Sequence, residues 1–175
     1  MIKNIIFFTC IISIFSLEWS QNNEQTKVTF SAKKFQVKVK GTFSDVKVHT
    51  NFNSKNLANS YVNVKICVES ISTRKKVIAK KILSKKYFDG PNHKYIQLKS
   101  TKIVKNENGE FSIFADVTIK GITKNILIPL EVFEYEKSLT IKSSFKIIRK
   151  DFNIGDGSLG MSKSAKIDVE FTGSK

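Results

Sequence analysis

From Thr26 onward, apolar residues recur at every second position, and few folds accept that pattern. Tyr61 to Glu69 reads Y-V-N-V-K-I-C-V-E, with Val62, Val64, Ile66 and Val68 on one side of the backbone and Asn63, Lys65, Cys67 and Glu69 on the other. Successive side chains of a strand point to opposite faces, so each such segment presents one face to a core and one to water. The alternation repeats in Phe35/Val37/Val39, in Phe111/Ile113/Ala115/Val117/Ile119, in Ile167/Val169/Phe171, and in Leu139/Ile141/Phe145/Ile147, where Ser143 is the exception. Turn signals separate the segments: Asn108-Gly109 suits a tight hairpin, and Asp89-Gly90-Pro91-Asn92 and Gly155-Asp156-Gly157 suit loops. The reading is all-β: about eight strands, mostly hairpin-connected, in an antiparallel sheet closed into a barrel or folded as a sandwich.

One segment departs from the period. Arg74 to Lys86, R-K-K-V-I-A-K-K-I-L-S-K-K, spaces Ile78/Ile82 and Ala79/Leu83 by four residues among lysines, which predicts a basic amphipathic helix capped by Ser72 or Thr73. A single helix on a barrel serves as a lid over an open end. Its lysines either face water or make transient contact with an anionic membrane surface or an acidic headgroup.

The first residues, M-I-K-N-I-I-F-F-T-C-I-I-S-I-F-S-L-E-W-S, read as a signal peptide: Lys3, then an apolar run from Ile5 to Leu17, then polar residues. The run is short of the ~20 residues that span a bilayer. The expected organisation is a leader over residues 1–20 and one domain over 21–175, exported to the periplasm or secreted, with the cut placed between Leu17 and Asn22. Without the leader Cys67 is the only cysteine, which excludes an internal disulfide and a cysteine-based zinc site.

The chain carries a net charge of +15. Of its 30 basic residues only Arg74 and Arg149 are arginine, and nucleic-acid readers depend on arginine forks for phosphate and guanine. The balance therefore speaks against nucleic acid and for a solvated lysine-rich surface. Chemistry is also scarce. His49 sits on the wet alternate of V-K-V-H-T and His93 in a loop after Pro91. Glu131, Glu134 and Glu136 cluster only at a strand end and turn. No H-E-x-x-H, G-x-S-x-G or phosphate-binding glycine loop occurs, so no catalytic residue, metal ligand or cofactor is assigned.

Several segments, in order, resemble the YceI-like family of exported, lipocalin-like polyisoprenoid-binding proteins. Val117-Thr118-Ile119-Lys120-Gly121-Ile122-Thr123-Lys124 is similar to the family's L-T-I-K-G-V-T-K hairpin. Ser70-Ile71-Ser72-Thr73, then a helix, then Tyr87-Phe88-Asp89 resembles its S-I-x-T to F-F-D block. Gly41 and Phe43 match its G-x-F, Phe52-Asn53 stands near its F-D, and Leu98-Lys99-Ser100-Thr101 fits its F-x-S strand. Ile148 to Gly155 fits I-N-R-x-D-F-G-I-G. Where the family has Arg-Asp and a His in the helix, this chain has Ile78-Ala79 and Lys81, and His93-Lys94 replaces a Tyr-Pro. The resemblance implies an eight-stranded, lipocalin-like antiparallel barrel with a helical lid, enclosing a long isoprenoid or similar lipid, with no metal and no covalent chemistry.

On that reading the lipid-facing wall is Phe35, Val37, Val39, Val62, Val64, Ile66, Ile96, Leu98, Ile113, Val117, Ile119, Ile141, Phe145, Ile167 and Val169. A polar mouth would use Lys120, Thr123, Lys124 or Arg149. A barrel of this size either fills with its own side chains or holds one small ligand. The alternative is therefore a filled, basic interaction module that binds anionic polysaccharide, a membrane surface or a protein. The oligomeric state is open, a dimer among the options.

Overall fold

The computed structural model describes residues 18–175. The expected signal peptide lies largely outside them. The elements in chain order are β1 (Ser20–Gln21), β2 (Lys27–Lys34), β3 (Val37–Phe43), β4 (Val46–Thr50), β5 (Val62–Cys67), β6 (Ile71–Thr73), α1 (Lys76–Leu83), β7 (Tyr95–Lys105), β8 (Phe111–Ile119), β9 (Ile122–Glu134), β10 (Ser138–Ile148) and β11 (Ser164–Ser174).

Hydrogen bonding orders the strands β4-β5-β7-β8-β9-β10-β11-β2-β3-β6, all antiparallel, with β1 added against β11. The two ends of that order are parts of one bent pair. β3 runs into β4 across Ser44-Asp45, and β5 runs into β6 across a 3-10 turn at Val68–Ser70. Across the bend Ser44 N donates to Ser70 O at 3.3 Å and Cys67 N to Asp45 O at 3.0 Å. Counting each bent strand once, the wall is an eight-stranded antiparallel barrel with β1 as an accessory. Closure removes the exposed edges that an open sheet would carry.

β9 and β10 pair over only part of their length. These strands pair only from Glu131–Lys142 to Glu134–Leu139, then part at Pro129, which has no N–H to offer the ladder. Ser143, the polar break in the β10 alternation, donates its hydroxyl to the Pro129 carbonyl at 2.7 Å, so its place on the apolar face has a local cause.

Asn108-Gly109 forms the expected tight turn between β7 and β8, with Gly109 at φ 86°. The helix is shorter than its periodicity suggested, and the expected Ser72 or Thr73 cap is not made. Lys75 occupies the N-cap position, and Thr73 Oγ1 donates instead to the Lys75 carbonyl.

The strands run between two unlike ends. At one end Trp19, Phe52, Phe111 and Leu139 are buried together, with Phe52 and Phe111 edge to face at 5.3 Å. Trp19 and Ser20, counted with the leader on sequence grounds, are thus built into the barrel, because the indole fills this end and Ser20 pairs with Ser174. At the other end lie α1, the β2–β3 hairpin and the 155–162 loop.

Candidate functional site

The inward alternates do not fill the barrel. They surround a cavity of about 350 Å³, within the ~300–1,000 Å³ span of small-ligand pockets. This space counts against the filled interior of the alternative reading. The inner faces carry mainly valine, isoleucine and leucine, and three of the rings pack against one another along the wall. Phe30 lies 5.7 Å from Phe43, and Phe43 lies edge-on 6.3 Å from Phe88. The Phe30 ring folds over Gly41 so closely that a Cβ there would stand 2.4 Å from it, so the glycine of the G-x-F segment makes room for the ring.

Every expected wall residue lines the cavity except Phe35 and Val37. Val39, Val62, Val64, Ile66, Ile96, Leu98, Ile113, Val117, Ile119, Ile141, Phe145, Ile167 and Val169 all face it. Phe35 is not a strand residue: with Gln36 it forms the β2–β3 turn, both at positive φ (47° and 68°). Val37 pairs with Lys34 and has the inward parity, but the hairpin extends past the rim there. Both are largely solvent-exposed, at 64% and 66%.

Sequence reasoning missed the contribution of β2, whose Val28, Phe30 and Ala32 alternate as clearly as any other strand, and that of the segments outside the strands. Ile78 and Ile82 of α1 point into the cavity, as their spacing of four allows. Tyr87 and Phe88 after the helix, and Ile154 and Met161 in the loops, carry no periodic signal.

Among the described residues, the charged ones lining the cavity are Lys33, Lys34, Lys81 and Arg149, and no acidic residue joins them. Of the expected mouth residues, Arg149 alone lines the space. Lys120 is at the same end but donates from Nζ to the Asn153 carbonyl at 3.1 Å, outside the lining. Thr123 shares a hydrogen bond with the Thr118 hydroxyl on the outer face, and Lys124 is exposed.

Arg149 opens a 3-10 turn, Arg149–Phe152, and is 4% exposed. Its Nε donates to the Ser162 carbonyl at 2.7 Å and its Nη1 to the Ile154 carbonyl at 2.6 Å. Among the described residues no carboxylate lies within ion-pair distance of it. Burial pulls the guanidinium below its usual range, while Tyr87 and Asp156 oppose that shift from further away. Carbonyl dipoles rather than a counter-ion hold this buried charge.

Residues 19–173 match the model of the YceI-like domain. The chain belongs to the YceI-like family. Among its relatives are UPF0312 proteins of Vibrio parahaemolyticus, 33% identical over 53% of this chain and 49% of that one, and of Photorhabdus laumondii, 31% identical over 65% and 62%. The chain spans about half the length of the first of these.

Solved structures share the fold at low identity. Burkholderia cenocepacia BcnA matches with a TM-score of 0.82 at 20% identity, covering 87% of this chain and 99% of that one. A polyisoprenoid binding domain from Saccharophagus degradans matches with 0.71 at 12% identity, covering 90% and 98%. Trp19, where the YceI-like match begins, is the first buried residue among those described. Of the positions that depart from the family pattern, Ile78 and Lys81 line the cavity, whereas Ala79, His93 and Lys94 do not.

Proposed function

We propose that the protein binds a polyisoprenoid or similar long-chain amphiphile in its barrel, for carriage or storage, without catalysing a reaction on it. The observation that carries this is the apolar wall around unfilled space, with lysine and arginine as the charged residues of its lining. Each methylene taken from water is worth ~0.8 kcal/mol, so a ten-carbon stretch supplies about 8 kcal/mol against the ordering costs of binding, with no polar contact required. Membership of the YceI-like family and the fold shared with the Saccharophagus polyisoprenoid binding domain support the same reading. Export by the N-terminal leader, to the periplasm or beyond, is part of the proposal and follows from the sequence of residues 1–17.

The test is mass spectrometry of an organic extract of the purified chain. A long-chain lipid at close to one per protein, retained through a high-salt wash, is the expected result, because salt screens surface charge and leaves an enclosed chain in place. Absence of lipid, together with no uptake when isoprenoids and fatty acids are offered, would sink the reading.

A further inference from the structure

Among the described residues, four of the five most exposed large apolar side chains, Leu159 (83%), Val77 (71%), Val37 and Phe35, belong to segments at the α1 end of the barrel. Three contacts tie those segments into one surface. Phe35 N donates to the Gly160 carbonyl at 2.8 Å and Ser162 N to the Lys33 carbonyl at 2.8 Å, which joins the hairpin tip to the 155–162 loop. Gly155 N donates to the Lys86 carbonyl at 2.8 Å, which joins the same loop to the chain leaving α1. Thr73 pairs antiparallel with Gly41, so the chain entering α1 runs toward the same tip.

The charge on this surface has one sign over long stretches. Residues 33–40 hold four lysines and residues 74–86 hold seven basic residues, and neither segment contains an acid. Asp156 is the one carboxylate of the joining loop, and it is occupied with the Gly157 N–H. Lys33, Lys34 and Lys81 of this surface also line the cavity, so the surface and the cavity adjoin.

A soluble polyanion would account for the lysines but not for leucine, valine and phenylalanine presented to water among them. Apolar tips on separate elements, ringed by lysine, suit a fluid partner whose anionic headgroups meet the ammonium groups while the tips enter the acyl boundary. We infer that this end of the barrel docks on an anionic lipid bilayer with the cavity mouth against the membrane. The docking adds to the carriage reading a route by which cargo enters and leaves without crossing water.

The experiment is co-sedimentation with vesicles of phosphatidylcholine alone and of phosphatidylcholine mixed with phosphatidylglycerol, at low and high salt. The wild type is expected on the mixed vesicles at low salt and not on the neutral ones. Leu159→Ser and Val37→Ser change exposed side chains and should each weaken binding roughly tenfold, while Lys33→Gln/Lys34→Gln should flatten the salt dependence. Failure of the wild type to bind mixed vesicles at low salt overturns the inference, as does binding that ignores both apolar substitutions. Uptake of detergent-dispersed farnesol without vesicles and of extracted isoprenoids is measured in parallel. Loss of uptake by the wild type with docking intact removes the carriage reading alone, and uptake without docking removes this one alone.

Discussion

The indole Nε1 of Trp19 donates to the carbonyl of Phe52 at 2.8 Å, across thirty-three residues of chain, and fixes the N-terminal segment to the end of the barrel away from α1. Trp19 is also the only tryptophan. A chain that starts at Gln21 loses this ring, and large-to-small changes of buried aromatics cost ~3–5 kcal/mol. It should unfold at lower urea than a chain that starts at Leu17, as followed by circular dichroism. Equal midpoints would show that the indole is dispensable.

Val64 and Ile167 line the cavity and are only partly buried, because they border empty space. Enlarging either to tryptophan should fill the space and lower lipid retention by tenfold or more, while changing the unfolding midpoint little. In a tightly packed core the same enlargement costs ~1–3 kcal/mol. Native mass spectrometry and urea titration of one sample separate the two outcomes.

Arg149 binds the carbonyls of Ser162 and Ile154 from inside the barrel. Hydrogen bonds to a charged group are worth ~1.5–3 kcal/mol each, part of which the cost of burying the charge offsets. Arg149→Met should therefore destabilise the fold by about 2 kcal/mol. Arg149→Lys keeps the charge but not the fork, and should recover only part of the loss. Hydrogen exchange should rise first in residues 149–162.

The Tyr61 hydroxyl donates to the Glu18 carboxylate, and that bond, aided by some burial and by the carboxylate's charge, pushes the phenol up to about 12. A folded-state value above the unfolded one stabilises the fold below the unfolded value, near 10, and the contribution disappears as pH rises through 12. An ultraviolet titration of the folded chain should place one tyrosine near 12. Glu18→Gln should return it toward its ordinary range, and so should any processing that removes Glu18.

The strands and their inward faces were legible because a period of two leaves each residue only one of two sides. Val39, Val64, Leu98, Val117, Ile141 and Ile167 needed no knowledge of their neighbours to be placed on the wall. Parity says which way a side chain points, however, and not how far along the barrel it stands. Val37 has the right parity and projects beyond the rim, and Phe35 stands in a turn that no glycine or asparagine announces. The cavity residues supplied by Tyr87, Ile154 and Met161 come from irregular segments, where no repeat exists to be read.

By itself the sequence determined the class of fold, the inner face of most strands and a basic helix, since each is a local pattern of apolar and charged residues. The tertiary structure alone decided that the barrel keeps about 350 Å³ unfilled, that Trp19 plugs one end, and that the exposed apolar tips gather with the lysines at the other. Those outcomes depend on closure around the β3–β4 and β5–β6 bends. Closure sets the distance between residues far apart in the chain, and no local period encodes that distance.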